Sequence, residues 1–154
     1  MGLVSSIISS NEIEIARVVH TVRDSMNKSD PDPVLLRQVR SKVIELLELY
    51  ASEAKQREYQ KNVPWVPVPT ELVEMWFSDT YHPKEPSLRL VFSDVELEAL
   101  ARFHAHFDRI THGRGRIALG PDLEELLKEE RWRKLMVEAA VVLRTVKSPD
   151  VATA

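Results

Sequence analysis

Apolar side chains recur every third or fourth position along most of this chain, and glycine is nearly missing, with 4 in 154 residues. The combination favours α-helices, because a 3.6-residue repeat lines one helix face and few left-handed turns are needed. Gly2 is terminal, and Gly113, Gly115 and Gly120 share one short window. The 9 prolines punctuate the remainder at 31 and 33, at 64, 67 and 69, at 83 and 86, and singly at 121 and 149. The length suits one domain, 1–154, with a single core, and stretches 1–10 and 148–154 are expected to be flexible ends. The chain therefore reads as all-α: an irregular helical bundle of five or six helices, a proline-rich extended strap, and at most two very short strands.

The helices have recognisable starts. Asn11, with Glu14 three residues on, opens a first helix whose stripe is Ile13, Ala16, Val19, Val22 and Met26. Asp32-Pro33 opens a second, because proline at the first helical position gives up an N–H that has no partner anyway. Its stripe is Leu36, Val39, Val43, Leu46 and Tyr50, and the helix is expected to run to about Lys61 with a solvent-facing tail. Pro64-Trp65-Val66-Pro67-Val68-Pro69 reads as extended, with Trp65 anchoring a strap over the bundle. A short helix from Thr70 turns Leu72, Val73, Trp76 and Phe77 inward. Leu88–Phe92 reads as a short strand or connector, with Arg116–Leu119 its only available partner.

Ser93-Asp94-Val95-Glu96 is a capping box. The helix it opens carries Leu100, Phe103, Phe107 and Ile110 on one face and ends at Gly113. From Asp122 to Lys147 the apolar residues have two phases. Trp132, Leu135, Ala139, Leu143 and Val146 share one side, while Leu123, Leu126, Val137 and Val141 lie nearly opposite. A break near Lys128–Arg131 resolves the conflict and leaves Val137 and Val141 for a contact between subunits.

Composition excludes several function classes. With no cysteine, the chain has no disulfide, thiolate nucleophile or cysteine-bound zinc. Its longest apolar run, Ala139–Leu143, is far too short to span a membrane. The first six residues show no basic lead or cleavage pattern, which predicts a cytoplasmic location; Met1-Gly2 with Ser6 fits the loose myristoylation pattern, which chance often satisfies. Lys+Arg at 21 against Asp+Glu at 24 leaves a net charge of −3. That balance, with Glu129 and Glu130 beside Arg131-Trp132-Arg133-Lys134, argues against a nucleic-acid track. Charge is nonetheless uneven: Glu71 to Glu98 holds seven acids and two bases, Ala99 to Leu119 four arginines and one acid.

Two constellations could carry chemistry. His104, Asp108 and His112 follow one another at successive turns of a helix face, a donor set suited to zinc or non-haem iron. Three such turns extend about 12 Å, too far for one ion, so a site would pair two of them with His82 or His20. The plain alternative is a boundary histidine beside a surface ion pair. The second is His112-Gly113-Arg114-Gly115-Arg116, where Arg114 and Arg116, with Arg109, could hold an anion or a partner. The alternative there is arginines paired to the acidic 71–98 stretch. Trp132, between two arginines, is expected to be partly exposed as a partner anchor. No nucleophile elbow, P-loop or His-Glu-x-x-His occurs. No catalytic residue or cofactor is assigned. The expected function is a small non-enzymatic protein that binds another macromolecule, as an inhibitor, immunity-type protein or adaptor, with self-association through Val137 and Val141. The rival is a metal- or anion-dependent enzyme, or a ligand-binding protein, on the His104/Asp108/His112 face and the Arg114/Arg116 loop.

Overall fold

The computed structural model describes residues 32–147. The expected first helix from Asn11, the Met1–Ser6 motif and His20 lie outside the described residues, as do both termini. Seven α-helices follow one another: α1 (Pro33–Ala51), α2 (Glu53–Asn62), α3 (Val68–Glu74), α4 (Leu88–Val91), α5 (Asp94–His112), α6 (Leu123–Lys128) and α7 (Glu130–Lys147). A six-residue π-helix, Met75–Thr80, continues α3 directly. The protein is all-α, with no strand among the described residues.

Three long helices frame the core. α7 runs antiparallel to α1: Arg40 bonds the Val146 carbonyl at one end, and Arg133 pairs with Glu53, just past α1, at the other. It is also antiparallel to α5, to which the His106 ring and the Glu138 carboxylate join it midway. Between them lies an aromatic nest. The Tyr50 ring meets Phe107 edge-on at 5.2 Å, Trp76 meets Phe103 at 5.0 Å, and Trp132 packs on Phe107 at 5.8 Å. Such offsets suit ring quadrupoles better than face-to-face stacks.

Both ends of α5 form as the sequence reads. The Ser93 N–H donates to Glu96 at 2.8 Å and the Glu96 N–H to the Ser93 hydroxyl at 3.2 Å. At the other end a Cβ on Gly113 would sit 2.5 Å from the Arg109 carbonyl oxygen, so only glycine fits. Gly115, at φ 71°, supplies the left-handed turn that brings the Ile117 N–H back to the Ile110 carbonyl at 2.9 Å. The expected break near residue 129 is present as well. Glu129 is extended, and the two halves bury Leu123, Leu126 and Leu127 on one side and Trp132, Leu135 and Ala139 on the other.

Four expectations change. The second helix does not reach Lys61: Ser52 turns extended, caps α2 through its side chain to the Lys55 N–H, and redirects the chain. The tail expected to face solvent instead buries Gln56 completely. The Pro64–Pro69 stretch is a turn, closed by Val66 N–H to the Val63 carbonyl at 3.1 Å, followed by α3 from Val68. Leu88–Val91 is one helical turn rather than a strand, since apolar runs this short carry no periodicity of their own.

Candidate functional site

The structure does not bring the histidine face together as a ligand set among the described residues. His104 is half-buried, and its Nδ1 accepts a hydrogen bond from the Trp76 indole N–H at 3.1 Å. An indole nitrogen only donates, so Nδ1 must be the bare nitrogen and the proton sits on Nε2. Neither nitrogen then offers a free lone pair to a metal. Asp108 and His112 form an exposed ion pair at 3.1 Å, with the His112 ring edge-on to Phe77. Among the described residues no three His, Asp or Glu side chains gather to hold an ion.

Burial lowers the His104 pKa from its ordinary 6.5; Asp108 opposes this and His112 and His82 add to it. The unfolded chain therefore binds a proton more readily, so the contribution of neutral His104 is full above about pH 6.5 and is lost as pH falls below it. Urea titrations from pH 8 to 5 should show falling stability, with a flatter curve for His104→Gln, whose amide oxygen still accepts from Trp76. Parallel curves would place the acid sensitivity elsewhere.

The two outer tryptophans exchange their expected places. Trp132 is fully buried, donating its N–H to Gln56 Oε1 at 3.1 Å, and is no surface anchor. Its charged neighbours Arg131 and Arg133 simply point outward beside it. Trp65, by contrast, is 50% exposed. It stands on the rim of a groove of about 690 Å³ whose wall is formed by Pro64, Pro67 and Pro121 over Val66 and Leu123. Arg57 closes one side through a double hydrogen bond to Glu124, at 2.9 and 3.0 Å. The usable signal for this site was the pair of prolines bracketing Trp65, which fix the turn that carries it outward.

Arg109, Arg114 and Arg116 are all exposed and make no ion pair among the described residues. The expected pairing with the acidic 71–98 stretch does not form. Acids there look to nearer partners: Glu96 to Arg40, Glu98 to Arg102, and Glu74 to the Ser78 hydroxyl. Groove and arginine loop share one end of the bundle. Arg131, opening α7, bonds the Gly115 carbonyl, while Arg133 reaches Glu53 on α2. Val137 and Val141 are 66% and 47% exposed, one turn apart on the outer face of α7. No helix is long and apolar enough to cross a membrane among the described residues. No protein-family model, curated protein or solved structure matches the chain.

Proposed function

We propose that this protein works by binding another protein, in an inhibitor, immunity-type or adaptor role, and that the Trp65 groove is its contact site. The carrying observation is Trp65, a large ring held half in water on a proline-braced turn beside a groove of about 690 Å³. Tryptophan in such a setting is a frequent hot spot, because the ring is already rigid and loses little freedom on contact. The cytoplasmic location expected from the sequence suits this role.

The test is a displayed library of random peptides, selected in parallel on the wild-type chain and on Trp65→Ala. Peptides enriched on the first and lost on the second are expected. Trp65 is half exposed, so the substitution should leave the melting temperature within a few degrees. Equal yields on both proteins would sink the reading.

The rival reading, a metal- or anion-dependent enzyme on His104, Asp108 and His112, is weakened on its His104 side, where Nδ1 already accepts the Trp76 indole N–H. Protein purified without a histidine tag should carry no stoichiometric zinc or iron, and zinc removed by His104→Ala would reinstate it. Self-association is a separate proposal. It rests on Val137 and Val141, exposed one turn apart on α7. Sedimentation should find a dimer at high protein concentration that Val141→Glu abolishes, and a monomer there would dispose of it.

A further inference from the structure

We infer that the groove's occupant is an extended acidic peptide segment: an apolar anchor lies against Trp65 and nearby carboxylates reach Arg114 and Arg116. The inference rests on the protein-binding reading above and adds the partner's chemistry. Charge left over at this end of the bundle decides it. Most acids here face a cation: Glu124 with Arg57, Glu125 with Lys128, Glu129 with Arg131 and Glu130 with Lys134, while Asp108 lies against the His112 ring. Asp122 accepts the Glu124 backbone N–H at 2.9 Å. On the groove's own edge, Lys61 forms no ion pair among the described residues and adds a further cation. Arg109, Arg114 and Arg116 have no carboxylate within ion-pair distance among the described residues, so cations outnumber acids at this end although the whole chain carries −3.

Geometry limits the partner. Arg116 is five residue steps from Pro121, which lines the groove, so their backbones are at most about 18 Å apart. An extended peptide advances about 3.3 Å per residue, so a stretch of five or six residues bridges anchor and carboxylates. Guanidinium groups favour this ligand, since their planar fork grips a carboxylate through two parallel hydrogen bonds. A nucleic-acid strand fits less well. A strand presents a phosphate at every nucleotide, whereas exposed guanidiniums without an ion-pair partner stand here at only three positions, which suits a peptide with a few spaced carboxylates.

The experiment sequences the peptides, roughly twelve residues long, that the random library yields on the full chain. The most enriched ones are then measured as fluorescent synthetic peptides. Expected are an aromatic, leucine or proline anchor with at least two Asp or Glu nearby, and binding weakened about tenfold or more by Arg114→Ala/Arg116→Ala. Raised salt should weaken it similarly. Both arginines are exposed, so a melting curve unchanged from wild type is expected to show the fold intact. Enriched peptides without acidic bias and indifferent to the arginine variant, yet still lost with Trp65→Ala, would overturn the acidic partner and leave the groove. No difference between wild type and Trp65→Ala would remove both. Tighter binding of single-stranded oligothymidylate than of any peptide would assign the arginines to nucleic acid instead.

Discussion

Replacing Gln56 with leucine is expected to remove about 3 kcal/mol of unfolding free energy, although the side chain keeps nearly its volume. Gln56 is fully buried where α1 ends. The break at Ser52 leaves the last carbonyls of α1 without the amide donors that a continuing helix would supply. The Gln56 amide nitrogen replaces them, donating to the Leu49 carbonyl at 3.2 Å and the Tyr50 carbonyl at 3.0 Å. Its oxygen takes the Trp132 indole N–H. One side chain thus satisfies three groups on two elements distant in sequence. Leucine strands the Tyr50 carbonyl and the Trp132 N–H and leaves the Leu49 carbonyl only the Ser52 N–H at 3.3 Å, each unmet group worth about 1–3 kcal/mol when buried, with entering water recovering part. Urea unfolding with an unchanged slope and a midpoint moved to lower denaturant checks the value. Gln56→Glu separates hydrogen bonding from packing. It keeps an acceptor for Trp132 but turns a carboxylate toward two carbonyls, so its loss should ease in acid, where protonation restores a donor. A loss under about 1 kcal/mol for leucine would mean that water replaces the amide in full.

The same residue explains where reading the sequence stopped. Breaks announced by local chemistry were legible: Ser93 and Glu96 set the start of α5, Gly113 its end, and the clash of apolar phases exposed the bend at Glu129. Ser52 is neither glycine nor proline, and what repays the bend is Trp132, 76 residues beyond Gln56. No local window contains that pair. The tryptophans misled for a related reason. Trp132 has charged neighbours and Trp65 apolar ones, yet burial is set by what packs across the bundle. The expected strap met the opposite rule: Pro67-Val68-Pro69 looks extended, but Pro69 falls in the first helical turn, where proline is welcome. Of the sites, the spacing of His104, Asp108 and His112 was visible, but Trp76, whose hydrogen bond closes His104 to metal, was not. Arg114 and Arg116 were legible as a cationic loop beside Gly113 and Gly115, but not which acids would leave them without an ion-pair partner, since that is set by Arg40 and Arg102 taking Glu96 and Glu98.

Arg40 predicts the largest single loss, for it fastens four segments at once. Its guanidinium forms a double hydrogen bond with Glu96, at 2.6 and 3.1 Å, and also donates to the carbonyls of Val91 at 2.6 Å and Val146 at 2.7 Å. Those carbonyls lie at the C-terminal ends of α4 and α7, where helical oxygens lack partners and a cation is favoured. The guanidinium also lies 5.0 Å over the Phe92 ring. Glu96 is only 3% exposed and doubles as the third residue of the α5 capping box. Arg40→Ala leaves this carboxylate buried without its counter-charge and should cost about 3–4 kcal/mol. Lysine at 40 should recover little, as one ammonium cannot replace a fork serving three acceptors. The double variant Arg40→Met/Glu96→Gln should lose less than the sum of its single changes, because neither partner is then left charged alone. Acid supplies an independent reading. Burial raises the Glu96 carboxyl, but Arg40 and the Ser93 N–H and hydroxyl outweigh it, and the net shift is below the ordinary 4.5. The unfolded chain therefore takes up the proton first on acidification. The stabilisation is full above about pH 4.5 and is lost as pH falls through the lower folded value. Unfolding free energies measured from pH 6 to 3 should fall for wild type and flatten in Glu96→Gln. An acid limb equally steep in that variant would show that another carboxylate governs the loss.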